Sequence, residues 1–198
     1  MKAHNLFLIL IASTLLFSCK GSDESSPVGT KHNVQINLSS YSVTNFSPLD
    51  LFFPKALAAV SNLKFCFKRL RFKLSQTTTT NHSGDNDNID ITPGYIDISS
   101  SGASIVNVPV LAGTYTRVEF DLERDCDGST KNSTDLTNTN GTYTSTDRIT
   151  IKFDGSFTVD GSKSVSLGIQ NILDQANSFD NLGGVSLKES LESVSGNL

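Results

Sequence analysis

"LKFCFKRLRFKL" (Leu63–Leu74) is apolar at every second position, first at Leu63, Phe65 and Phe67, then at Leu70, Phe72 and Leu74. Successive side chains of an extended chain point to opposite faces, so the stretch predicts a strand with one face buried. The parity changes between Phe67 and Leu70, which predicts a β-bulge near Lys68-Arg69. A second stretch, "TYTRVEFDLERDC" (Thr114–Cys126), sets Val118, Phe120 and Leu122 on one face and Arg117, Glu119, Asp121 and Glu123 on the other. These two long strands are the spine of the fold.

Working outward, "NVQINL" (33–38) alternates at Val34, Ile36 and Leu38. "GYIDI" (94–98), "ASIVNVPV" (103–110), "DRITIKF" (147–153) and "KSVSLGI" (163–169) add short strands, with "DGSFTVDGS" (154–162) expected as a turn-rich hairpin. About seven short strands divided by turn signals predict an all-β fold, an antiparallel β-sandwich. Two helical fragments are expected. One is "FPKALAAVSN" (53–62); the other is "IQNILDQANSF" (169–179), with Ile169, Ile172, Leu173 and Ala176 on one side.

Composition agrees. The 198 residues include no Trp, and Ser, Thr, Asn, Asp and Gly are abundant, which suits a β-protein with polar loops. Sixteen basic residues against 20 acidic ones give a formal net charge of −4. A mildly acidic chain with no basic stripe argues against nucleic acid as a partner.

The N-terminus has its own pattern. Met1-Lys2 is followed by an uncharged apolar run from Leu6 to Phe17, too short to span a bilayer and suited to a secretory signal. The run ends at "LFSC" (Leu16–Cys19), which resembles the lipobox of bacterial lipoproteins, with Phe17 departing from the usual small residue. The resemblance implies that residues 1–18 are removed and that Cys19 is lipidated, becoming the new N-terminus. Several acyl chains anchor stably where one is marginal. "KGSDESSPVGTK" (20–31) then reads as a flexible tether, leaving 32–198 as a single β-sandwich domain. Lys20 is not Asp, which implies the outer membrane, on its periplasmic or surface face. "VPVLAGTYTRVEF" (108–120) resembles turns in bacterial lipoprotein domains of unknown function, with a transthyretin-like or carboxypeptidase-regulatory-like sandwich. Fimbrillin-like surface proteins share such turns. The resemblance carries no catalytic residue.

Chemistry is sparse. Behind the signal only His32 and His82 remain, neither with a Cys or second His at ligand spacing. No G-x-S-x-G elbow and no phosphate loop is present. Paired carboxylates are the remaining enzymatic route. In "GDNDNID" (84–90), Asp85, Asp87 and Asp90 interleave with Asn and offer oxygens of the kind Ca²⁺ takes, though without EF-hand spacing. The alternative, a solvated turn, is the expectation, with no metal and no cofactor. "SPLDLFFPKALAAVSN" (47–62) is expected to cap one end of the sandwich rather than present an outward docking patch. Long polar loops at 75–92 and 127–146 are the expected interaction surfaces, toward an envelope protein or glycan.

With Cys19 lipidated, Cys66 and Cys126 remain as an even pair, either bridged or as two buried thiols. In an immunoglobulin-like order the second and fifth strands are antiparallel neighbours. Placing Cys66 opposite Cys126 then sets Leu70, Phe72 and Leu74 against Leu122, Phe120 and Val118. It also sets Arg69, Arg71 and Lys73 against Glu123, Asp121 and Glu119. The expected function is a lipid-anchored cell-envelope domain, non-catalytic, binding or structural. An adhesin or pilus-type subunit is the alternative, and a hydrolase stands behind both.

Overall fold

In the computed structural model, residues 30–40, 60–75, 86–129 and 131–198 are described. Among the described residues, ten strands form two sheets and two short helices accompany them. The smaller sheet has the order β4-β1-β9, formed by β1 (Lys31–Leu38), β4 (Ala103–Leu111) and β9 (Lys163–Leu167). The larger contains β2 (Asn62–Leu74), β3 (Asn86–Asp97), β5 (Gly113–Leu122), β6 (Thr134–Asn138), β7 (Gly141–Ser145), β8 (Ile149–Val159) and β10 (Ser195–Asn197). Its order is β10-β8-β5-β2-β6-β7, with β3 also on β2. Helices α1 (Gln170–Ser178) and α2 (Leu187–Glu192) follow β9.

The fold is all-β and sandwich-like, as the alternation implies. Val34, Ile36 and Leu38 are buried, as are Val118, Phe120 and Leu122 and then Ile149, Ile151 and Phe153. Most pairs are antiparallel, but β1 runs parallel to β9 and β10 parallel to β8. The chain leaves β8 through 160–162 and enters the other sheet, so "DGSFTVDGS" is no hairpin. Its first six residues extend β8.

Strand β2 holds the larger sheet together. Its residues from Phe67 onward pair with β5, while Asn62–Phe65 pair with β6. The ladder shifts between Phe67 and Arg69, so Lys68 is the bulged residue. One extra residue flips parity, and Phe65 and Phe67 therefore join Leu70 and Phe72 in the core. Phe67 and Phe120 meet edge-on at 5.0 Å, and Phe120 meets Phe153 likewise at 6.1 Å.

Cys66 and Cys126 form a disulfide with Cα atoms 5.5 Å apart. The expected register is corrected. Arg69 faces Asp121, Leu70 faces Phe120, Arg71 faces Glu119 and Phe72 faces Val118, two residues from the register counted outward from the cysteines. Cys126 is not a ladder residue. The Glu123 amide closes the ladder on the Cys66 carbonyl at 3.0 Å, and the chain then turns through Asp125 at φ 62°. That turn folds Cys126 back over β2, with its amide 3.2 Å from Cys66 Sγ. A slip of two residues preserves every facing, so the buried set survives the error.

Helix α1 buries Ile172, Leu173 and Ala176, as its periodicity predicts. Helix α2 was unforeseen, although "SLKE" (Ser186–Glu189) is a capping box in which Ser186 accepts from the Glu189 amide and Glu189 accepts from the Ser186 amide. The hairpin of β6 and β7 replaces the expected loop at 127–146. Its two turn residues are Thr139 and Asn140, and Asn138 closes the turn with its side chain, an Asx cue in the sequence. The expected helix at 53–62 and apolar insertion at 47–62 lie, up to residue 59, outside the described residues. Val60 packs against the core.

Candidate functional site

Two surfaces of the larger sheet have structure that packing alone does not require. The first is the outer face of β2, β5 and β8, where the charged halves of the alternating strands meet. Asp121 lies at its centre with a side-chain exposure of 0%. Its carboxylate accepts from Arg71 at 2.7 Å, from the Thr150 hydroxyl at 3.0 Å, and from Arg148. Arg69 stands 3.7 Å away. Further out, Arg71 pairs with Glu119 at 3.3 Å, and Arg117 bridges Glu119 and Asp154. Burial alone would push the Asp154 carboxyl up, but hydrogen bonds from Arg117 and Ser195 and the nearby positive charge outweigh it and hold it below its ordinary value. Lys73 falls opposite Arg117, a like-charged pair that the shifted register creates. Apart from Lys73, these charges centre on Asp121 and Glu119, so this face reads as a sheet-locking network.

The second surface is a groove of about 430 Å³ between β7 and the segment from Phe179 to Lys188. Thr142–Asp147 form one wall, and Asn181 with Ser186–Lys188 the other. Tyr143 and Phe179 meet edge-on at 4.8 Å beside it. Local hydrogen bonding holds both walls. Asn138 Nδ2 donates to the carbonyls of Ala176 and Phe179, each at 2.8 Å, and so ties the hairpin to the end of α1. Asn138 Oδ1 accepts from the amides of Asn140 and Gly141 and fixes the hairpin turn. On the far wall, hydrogen bonds from the Ser186 amide and hydroxyl hold the Glu189 carboxyl below the usual carboxylate range. Lys188 donates to the Arg148 carbonyl and to Glu192. The lining is mainly hydroxyls and amides, with Asp147 and Lys188 as its charged groups and Tyr143, Phe179 and Leu187 as its aromatic and apolar part.

The expected site residues are distributed as follows. Cys19, His82 and Asp85 lie outside the described residues, whereas Cys66 and Cys126 are joined. The acidic stretch is corrected from loop to strand: Asn86 to Asp90 open β3, where residue 87 faces Phe72 and Asp90 faces Arg69. The Asp90 carboxylate takes Arg69 Nε at 3.2 Å. Among the described residues, no three His, Cys, Asp or Glu side chains are arranged to hold a metal ion. The groove was missed because its walls come from two stretches some forty residues apart, the second of which carries no strand periodicity.

Comparison with family models, curated proteins and solved structures returns no match to this chain.

Proposed function

We propose that this chain is a lipid-anchored domain of the cell envelope, with a binding or structural role and no catalytic one. The observation that carries the reading is the use of its three cysteines. Two are spent on the Cys66–Cys126 bridge, which suits an oxidising compartment. The third, Cys19, stands where the lipobox-like "LFSC" would place the lipid. The polar groove beside β7 supports binding, because it offers many hydrogen-bonding groups on a rigid scaffold.

Fractionation with metabolic acyl labelling tests the reading. The wild-type chain takes up labelled palmitate and sediments with membranes, and Cys19→Ser does neither. A wild-type chain that carries no acyl label and leaves the membrane fraction sinks the proposal.

A further inference from the structure

The free edges of the two sheets are not equivalent. A strand edge exposes unpaired main-chain groups, and proteins blunt such edges with proline, charge, bulges or brevity. β4 carries Pro109, β3 carries Pro93 and a register irregularity, β9 opens on Lys163, and β10 has only three residues. β7, "GTYTS", has no proline and no charge, and its ladder with β6 is regular.

The hydrogen-bonding phase of β7 follows from its neighbours. The Thr137 carbonyl accepts the Ser61 amide at 2.9 Å, so the main chain of Thr137 is turned toward the β2 side. Thr137 faces Thr142, and their hydroxyls lie 3.2 Å apart, as in a pair that exchanges no main-chain bonds. Thr142, and by alternation Thr144, therefore direct N–H and C=O away from β6, and both residues line the groove. Among the described residues no strand pairs with that edge. Leu182 and Val185, chain neighbours of the lining residues Asn181 and Ser186, are 86% and 48% exposed, the large apolar side chains that the described surface leaves open.

We infer that β7 is a strand-acceptor site: an extended polypeptide segment of a partner adds to its free edge, main chain to main chain. The inference rests on the binding reading above and names its partner class. A second copy joined β7 to β7 is disfavoured by size. Five residues span about 17 Å, and two such edges fall well short of the roughly 1,200 Å² that a specific interface buries. A single strand gains in addition the far wall of a groove within the roughly 300–1,000 Å³ typical of ligand clefts. Its alternate side chains would meet Phe179 and Leu187 of the far wall, so β-branched or apolar residues alternating with hydroxyls fit best.

The test uses the full-length chain in detergent and a fluorescent seven-residue peptide of alternating threonine and valine. Saturable binding is expected, with slowed amide exchange confined to 141–147 and 179–188. The same peptide N-methylated at alternate residues lacks its donors and should not bind. Thr144→Pro deletes one outward donor and should weaken binding about tenfold; the N-methylated peptide keeps the test valid even where that variant folds poorly. Absent binding, equal binding of the N-methylated peptide, or protection elsewhere overturns the site. If crosslinked envelopes still yield a partner that Thr144→Pro leaves undiminished, the strand-acceptor site fails and the envelope-binding reading stands. Loss of the chain from the envelope fraction sinks that reading alone.

Discussion

Replacing both cysteines, as Cys66→Ala with Cys126→Ala, should lower stability mainly through the unfolded chain. The bridge closes a loop with a sequence separation of 60. In the chain-entropy treatment such a loop restricts the unfolded ensemble by about 14 cal/mol/K, or about 4 kcal/mol at 25 °C. The native side loses little, because β2 keeps its ladders to β3, β5 and β6 without the sulfurs. For a chain of this size each kcal/mol moves the melting temperature by about 2–4 °C, so a fall of roughly 8–16 °C is expected. The logarithm also makes the effect insensitive to loop length, since halving the loop would change it by only about 0.6 kcal/mol. Thermal melts and urea titrations of the oxidised wild type, the reduced wild type and the double variant provide the measurement. The reduced wild type should track the variant, and the urea slope should rise as the unfolded chain expands. A double variant that melts within about 3 °C of the oxidised protein would refute the reasoning.

Three further outcomes follow from particular contacts. Asp121→Ala leaves Arg71 and Arg148 without their shared buried acceptor and should cost about 3 kcal/mol in urea denaturation, at the low end for a broken buried pair because Arg148 is half exposed; a cost below about 1 kcal/mol would show that the network locks nothing. Gly196→Ala sets a Cβ against the Gly168 carbonyl and 2.5 Å from the Phe153 ring, so β10 must shift at about 1–3 kcal/mol, and unchanged stability would mean that β10 adapts freely. Because the folded Asp154 carboxyl is held below its ordinary value, its contribution is complete above the unfolded pKa near 3.8 and is lost as pH falls through the folded value. Arg117→Met should therefore flatten the acid limb of the stability curve below about pH 4, and an unaltered limb would remove Arg117 as the cause.

The amino-acid order alone determined the all-β class, the faces of the long strands, the bulge at Lys68 and the amphipathic α1, and it left one even pair of cysteines to be bridged or free. Each is a local or parity property: period-two alternation decides which side chains are buried whatever the partner strand, and the same parity survives a two-residue slip. Tertiary structure decided everything that depends on which strand lies beside which. Cys126 turned out to reach Cys66 through the Asp125 turn, off the ladder, and so moved the register of β2 on β5. Thr- and Asn-rich segments became β6, β7 and the first half of β3 because strands with few apolar residues are specified by the hydrogen bonds of a neighbour rather than by their own pattern. The crossing of β9 into the smaller sheet, parallel to β1, likewise has no sequence mark. The groove exists only because Asn138 pins the end of α1 beside β7, a contact across 38 residues that no local periodicity could announce.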